Sequence, residues 1–540
     1  MIMSNQNQGN EPQKSSGSGI MVKTGLIAVF ILYLVLLAMG KPQQWTPTGS
    51  NNTGNNSTSS ESHAAEAVDG DSGGHGDTKI KPPPFIMIFP FVALLFCIAI
   101  LPLIPATAHW WDHNSSRFLV AASLGVLTLL YYLFFHNVPM EAHWPFRHEV
   151  LPSEGFLNFQ IAWTVFENAI IGEYIAFIVL LFTLYTIAGG IRIEGDMKAK
   201  PLTNTAIIGV GAVLASFIGT TGAAMLLIRL LLDTNKQRKY KVHTVIFFIF
   251  VVCNCGGLLT PLGDPPLFLG YLRGVKFEYT LLNLYYEWAF VNGLLLVVYF
   301  FWDTFFAYPR ETKDDIARDN RETVSLKISG TMPNVLLLLG VVLSVLLLDP
   351  GKTIFGWHPW AFFREIVMLG LVFISLTFGS KKARMANNFN YAAIIEVAVL
   401  FFGIFICMQA PLQILHIYGP DLPLKTPMHF FWASGALSSF LDNAPTYVVF
   451  FETASTLGVP EGMDAIGICG CAINVKLLAA VSLGSVFMGA MTYIGNGPNF
   501  MVKAIAEQSG VKMPSFFGYM LYSCLILLPI LVIMAFVFLS

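Results

Sequence analysis

Ser216-Phe217-Ile218-Gly219-Thr220-Thr221-Gly222 lies midway along the apolar segment 203–232, and Ser439-Phe440-Leu441-Asp442-Asn443-Ala444-Pro445-Thr446 lies midway along a second, 428–453. These small and polar residues cut each segment into halves of about 10 to 15 residues. At about 1.5 Å per residue, neither half crosses a hydrocarbon core about 30 Å thick. Backbone in lipid cannot stop with its polar groups unsatisfied, so each segment is expected to enter and turn back as a re-entrant helical hairpin.

The rest of the chain supplies the membrane setting. Of 540 residues, 55% are hydrophobic and only 12% charged, with a mean hydropathy of +0.63. That is about half the charge of an average soluble domain, and the apolar residues are gathered in long runs, which excludes a water-soluble globule. Ten full spans are expected near 85–105, 117–135, 170–190, 243–270, 284–307, 332–348, 363–379, 391–410, 475–502 and 515–539. The expected fold class is an all-α polytopic membrane protein. Residues 1–40 form a polar tail followed by an apolar run, Thr24–Gly40, behind Lys23; the run is either a signal peptide or a short anchor. Residues 41–84, rich in Asn, Ser, Thr and Gly, are expected to be a disordered extracytoplasmic linker, and 85–540 the membrane domain. The stretch 136–169 is expected to be an interfacial loop and helix carrying Trp163.

Charge placement tests the re-entrant reading. With both hairpins turning back, loops 191–201, 233–241, 308–330, 380–390 and 503–512, together with Arg117, hold 18 Lys and Arg on one side. The loops opposite hold five: Arg147, Arg273, Lys276, Lys352 and Lys425. Positive loops mark the cytoplasm. The first hairpin then opens from the cytoplasm and the second, five spans later, from outside.

The two tips align over five residues, Ser216 with Ser439. A second pair follows each hairpin: Thr260-Pro261-Leu262-Gly263-Asp264-Pro265-Pro266-Leu267-Phe268 matches Thr492-Tyr493-Ile494-Gly495-Asn496-Gly497-Pro498-Asn499-Phe500. Two matches in the same order suggest a duplication, repeat 1 about 117–283 and repeat 2 about 332–540. An odd number of intervening spans inverts the second copy, and inverted repeats with broken helices meeting at the midplane mark secondary transporters. Gly263 and Gly495 are expected to allow unusual backbone angles, while Pro265, Pro266 and Pro498 stop a helix from continuing.

Asp264 and Asp442 are carboxylates within apolar stretches, where an unpaired charge costs at least about 2.5–3.5 kcal/mol. A proton or a bound cation removes that cost, and competition between Na⁺ and H⁺ for one carboxylate is the simplest antiport mechanism. Both are therefore candidates for proton coupling and cation binding. Asn443, Asn496 and Asn499 add amide oxygens, Thr220, Thr221 and Thr446 hydroxyls, and Gly263 and Gly495 opened backbone. Asp264, Asp442, Asn443 and Asn496 form the candidate Na⁺ set. Glu396 is expected to snorkel to the surface, Glu167 and Glu173 to be interfacial, Arg229 to meet headgroups or a loop acid, and Lys476 to anchor a span. The seven cysteines, 97, 253, 255, 407, 469, 471 and 524, lack Cys-x-x-Cys spacing and are expected to be small buried hydrophobes. The net charge of −2 comes with no basic stripe for nucleic acid. No hydrolase, zinc-protease or Walker motif supports an enzyme or an ATP-driven pump.

At the hairpins and breaks, Phe85–Ser540 resembles the ion-transporter superfamily of citrate and dicarboxylate transporters, arsenite exporters and D-type sodium/proton antiporters. Gly219-Thr220-Thr221-Gly222 and Leu441–Thr446 look like its hairpin motifs; Gly263-Asp264-Pro265-Pro266 and Gly495–Asn499 look like its broken-helix motifs. The resemblance implies an elevator-type transport domain on a dimerising scaffold, in a bacterial cell membrane. The sodium/dicarboxylate members carry Ser-Asn-Thr at both tips, and neither tip here does. Two carboxylates at about 5 Å from a bound carboxylate would each cost about 3 kcal/mol at an effective dielectric of about 20. A Na⁺/H⁺ antiporter is therefore preferred over a cation-coupled citrate or dicarboxylate transporter, with a passive channel as the alternative of another class. No cofactor is expected beyond transported Na⁺ and H⁺. The expected partners are the lipid bilayer, a small inorganic cation or small organic anion, and a second copy of the chain.

Overall fold

Long apolar runs with their polar backbone satisfied internally give helices throughout, and the computed structural model is mostly helical. It describes residues 14–41, 82–143, 148–153, 155–321, 324–349, 352–353, 356–459, 464–468 and 471–540. Most of the expected linker, Arg147 and Cys469 lie outside the described residues. In chain order the principal helices are α1 (Lys14–Ala38), α2 (Phe89–Ile100), α3 (Pro105–Trp111), α4 (Asn114–Phe134) and α5 (Phe159–Ala188). The first hairpin is α6 (Pro201–Ile218) and α7 (Thr220–Thr234), followed by α8 (Val242–Val251), α9 (Pro265–Leu272) and α10 (Tyr285–Trp302). Then come α11 (Thr331–Leu347), α12 (Phe363–Phe378), α13 (Ala392–Cys407) and α14 (Gln409–Tyr418). The second hairpin is α15 (Pro427–Phe440) and α16 (Asn443–Ser455); α17 (Val475–Phe487), α18 (Gly497–Gln508) and α19 (Phe516–Phe538) complete the chain.

Seven of the described helices are long and apolar enough to cross a membrane, or up to nine if each bent pair is one span. The chain is a multi-pass membrane protein. Of the ten expected spans, the two that carry Gly-Asp-Pro-Pro and Gly-Asn-Gly-Pro are interrupted there, as expected. α11 and α12 have 17 and 16 residues, and the expected spans 243–270 and 475–502 are each broken in the middle. α1 rests on α12, where Leu26 packs with Val372 and Leu376 and the Tyr33 hydroxyl donates to the Ala361 carbonyl at 3.1 Å.

Both interrupted segments are broken where the sequence said. α6 ends at Ile218 and packs against α7, while α15 ends at Phe440 and packs against α16. One expectation fails: α6 has 18 residues, not 10 to 15, and would be long enough to span by length alone. What stops it is Gly219, at φ 80° and ψ 148°, a conformation an L side chain rarely adopts. The stretch 136–169 also differs. β1 (Met140–Ala142) pairs antiparallel with β2 (His148–Val150), and α5 begins at Phe159 and runs unbroken for 30 residues through a π-helical stretch, Glu167–Tyr174. Trp163 therefore lies in the opening turns of a spanning helix rather than on a separate interfacial one. Glu173, expected at the interface, accepts from Arg273 Nη2 with both carboxylate oxygens, at 2.8 and 2.9 Å. Glu396 meets Arg117 at 3.1 Å.

The Lys- and Arg-rich loops gather together. β3 (Arg192–Asp196) pairs with β4 (Val324–Ser329), joining loops 191–201 and 308–330. Glu311 accepts from the backbone of Lys239 and Tyr240, bringing in loop 233–241. Asn387 donates to the carbonyls of Gly189 and Ile191, adding loop 380–390. Beneath them Arg238 makes two bonds to buried Asp303, at 2.8 and 2.5 Å, and His243 lies 3.0 Å from the same carboxylate. A third ladder joins β5 (Ala465–Ile468) and β6 (Cys471–Asn474) ahead of α17. Cys253, Cys255 and Cys407 are buried as expected, whereas Cys524 is exposed on α19.

Candidate functional site

Each hairpin tip is stitched to a broken helix by side chains that do the work of missing backbone bonds. In the first, Thr260 donates to the Ser216 carbonyl, Ser216 Oγ donates to the Gly256 carbonyl at 2.5 Å, and the Thr220 N–H donates to the Gly263 carbonyl at 2.8 Å. In the second, Thr492 donates to the Ser439 carbonyl at 2.5 Å and Ser439 to the Met488 carbonyl at 3.2 Å. A short 3₁₀ turn precedes each break, Cys255–Leu259 and Met488–Met491. Gly263 and Gly495 are needed for a different reason than expected: neither has a left-handed φ. A Cβ on Gly263 would collide with the Gly257 carbonyl, and one on Gly495 would come within 2.6 Å of the Gly489 carbonyl.

Four helices begin at this point. Gly219 caps α7, Asp264 caps α9, Asp442 caps α16 and Asn496 caps α18. They converge on one carboxylate. Asp264, 1% exposed, accepts from Thr220 Oγ1 at 3.1 Å, from Asn496 Nδ2 at 3.1 Å and from Asn443 Nδ2 at 2.5 Å. Among the described residues no Lys, Arg or His forms an ion pair with it. Helix N-termini carry partial positive charge, each worth about 0.3–1 kcal/mol to a nearby anion. The carboxylate is thus held by dipoles and neutral donors alone. No cluster of three or more His, Cys, Asp or Glu that could hold a metal ion occurs among the described residues.

The other sequence candidates divide. Asp442 adjoins Asn443, but its Oδ1 accepts from the Ala444 N–H at 3.0 Å, an N-cap that occupies one oxygen with a local task. Thr446 donates to the Asp442 carbonyl at 2.9 Å, within its own helix. Thr221 lies in the first turn of α7, and among the described residues it makes no hydrogen bond to Asp264. Asn499 faces away from the carboxylate, donating to the carbonyls of Gly489 and Thr492 at 2.9 Å each. Sequence reasoning missed Asn254, which is fully buried and joins Asn499 and Asn496. Its signal was present: it is the one amide in the apolar run Val242–Leu259.

A family described as "Putative citrate transport" matches residues 140–539, well over half of the chain and both hairpins with their breaks. The chain belongs to this family. No curated protein matches it. Membership in the citrate-transport family agrees with the resemblance read at the hairpin and break motifs and supports a secondary transporter.

Proposed function

We propose that the chain is a secondary active transporter that exchanges Na⁺ for H⁺ across a bacterial cell membrane, with Asp264 the shared ligand of both ions. The observation that carries this reading is the burial of the Asp264 carboxylate among three neutral donors, with no Lys, Arg or His paired to it among the described residues. An intramembrane carboxylate without a counter-ion must be neutralised by a proton or a cation from solution. If both compete for the same oxygens, loading one expels the other. Asn443 and Asp442 complete the proposed cation set, with Thr220 Oγ1 and Asn496 Nδ2 holding Oδ1 as donors.

The matching ties at the two breaks support an inverted-topology repeat, and with it an elevator in which the two hairpins and broken helices move together against a scaffold shared by two copies of the chain. Proteoliposomes carrying the purified protein should acidify or alkalinise in response to a Na⁺ step. Asp264→Asn should abolish that response; an undiminished signal would remove Asp264 from the mechanism.

A second reading, cation-coupled uptake of citrate or a dicarboxylate, is favoured by the family description and by the four helix N-termini, which suit an anion. Radiolabelled citrate uptake dependent on Na⁺ or a proton gradient would select it. Linear conductance without saturation or counterflow would instead indicate a channel.

A further inference from the structure

The strand β4 is exposed along its whole length, and its two faces differ. Val324, Leu326 and Ile328 alternate with Ser325, Lys327 and Ser329, so the three apolar side chains share one face. The pairing with β3 says which way that face is turned. Ile193 stands opposite Ile328 and Glu194 opposite Lys327, so Ile193 shares the apolar face while Arg192 and Glu194 share the polar one. β3 lies against α7, and Ile193 packs onto the buried core beneath it. The apolar face therefore looks toward the membrane-spanning bundle. β4 overhangs that bundle, and Val324, Leu326 and Ile328 remain 56%, 47% and 52% exposed.

The length of the next helix sets the depth. β4 runs through Gly330 into α11, whose 17 residues reach about 25 Å, less than a hydrocarbon core about 30 Å thick. So short a span draws its apolar flank to the bilayer. The exposed stripe of α11, Met332, Val335, Leu336, Leu339 and Leu343, continues the apolar face of β4. Basic residues stand beside the joint. Loop 380–390 holds Lys381, Lys382 and Arg384 and no acid, and a Cβ on Gly330 would come within 3.2 Å of Ala383. Arg384 is engaged with the Ser375 and Thr186 carbonyls, whereas Lys381 and Lys382 are exposed.

We propose that the β3–β4 ladder is a lipid-binding surface. It lies on the leaflet at the Lys- and Arg-rich side, sinks Val324, Leu326 and Ile328 to the boundary of the acyl chains, and meets anionic phospholipid headgroups with Lys381 and Lys382. An element apolar below and charged at its rim is the chemistry of interfacial binding to an anionic membrane. The occupant is lipid rather than a second copy of the chain, because the face continues the lipid-facing side of α11 and is turned toward the bilayer. A copy would have to displace lipid to reach it. The polar face, with Arg192, Glu194 and Lys327, stays in water.

The test places a nitroxide spin label, one at a time, at positions 324 to 329 of the full-length protein, with the signal of the unsubstituted protein subtracted. The vesicles contain phosphatidylethanolamine and phosphatidylglycerol. Collisions with oxygen, which concentrates among acyl chains, are compared with collisions with a water-soluble nickel chelate. The oxygen-to-nickel ratio should be severalfold higher at 324, 326 and 328 than at 325, 327 and 329, the two-residue period of a strand lying on a membrane. Nickel-dominated collisions at all six positions would overturn the proposal. Protection from both probes at 324, 326 and 328 would also overturn it, since that is the mark of a protein partner such as a second copy. Replacing phosphatidylglycerol by phosphatidylcholine, or making Lys381→Gln together with Lys382→Gln, should lower the ratio at 326. A ratio unchanged by both would overturn the recognition of anionic headgroups. Neither result depends on which ion the protein carries.

Discussion

The two breaks share a frame and differ in charge. Around Thr260–Asp264 and Thr492–Asn496 the same contacts recur: a threonine hydroxyl on a serine carbonyl, that serine's hydroxyl on the preceding 3₁₀ turn, and a glycine pressed against a second glycine's carbonyl. Thr220 and Asn443, at matching positions of the two tips, each donate to Asp264. Yet the first break caps its helix with Asp264 and the second with Asn496. The shared features hold the backbone open, and the differing residue puts a carboxylate at the first break and a neutral amide at the second.

The largest effect tests the frame. Gly263→Ala would drive a Cβ into the Gly257 carbonyl, and Gly495→Ala would set one 2.6 Å from the Gly489 carbonyl and 2.7 Å from that of Ser438. Backbone on both sides leaves nothing to yield, so each should cost upwards of ~3 kcal/mol and sharply reduce folded protein in detergent. Size-exclusion profiles of both variants check this. A well-folded Gly495→Ala beside a lost Gly263→Ala would show that the two breaks are not equally tight.

The next effect tests the charge. Asp264→Asn should abolish Na⁺-evoked pH changes in proteoliposomes, and adding Asn496→Asp, which moves the carboxylate to the matching position, should restore part of the activity. The restored carboxylate would still lie at a helix N-terminus, beside the Asn254 amide and position 264. No restoration would mean that the two positions share backbone but not surroundings. Asp442→Asn should be milder. Asn caps a helix about as well as Asp, so α16 keeps its start, and transport should fall by less than about tenfold if capping is the principal task of Asp442. A loss equal to that of Asp264→Asn would give both halves an essential carboxylate.

Much of this was legible in the sequence because membrane chemistry makes certain residues conspicuous. A Gly-Asp-Pro-Pro or Gly-Asn-Gly-Pro inside an apolar run can neither continue a helix nor face lipid, so the breaks and Asp264 announced themselves. The gathering of Lys and Arg into loops likewise put loops 191–201 and 308–330 on one side, and the pairing of β3 with β4 agrees with that. What was not legible depended on contacts between distant residues. Asn254 is an ordinary amide until Asn496 and Asn499, more than 240 positions away, give it a direction. The use of Gly263 for close approach rather than for φ is set by Gly257 across the break. The length of α6 and the early start of α5 were misjudged because small polar residues read as an interruption whether or not the helix pauses at them.

The smallest effect asks whether the frame is energetically as well as geometrically alike. Thr260 Oγ1 donates to the Ser216 carbonyl and accepts from the Leu262 N–H at 3.2 Å; Thr492 Oγ1 donates to the Ser439 carbonyl and accepts from the Ile494 N–H at 3.2 Å. Thr492 also accepts from the Gly495 N–H at 3.1 Å, where the first break uses the Thr260 carbonyl for Gly263. Valine keeps the shape and removes the hydroxyl, so each variant should lose about 1–3 kcal/mol, the cost of leaving buried backbone groups unpaired. Thr492→Val strands one more N–H than Thr260→Val and should melt lower by the larger share of that range. Thermal unfolding in detergent reads the difference directly. If Thr260→Val were the more damaging, the stabilising bonds would be unevenly divided in favour of the half that carries the charge.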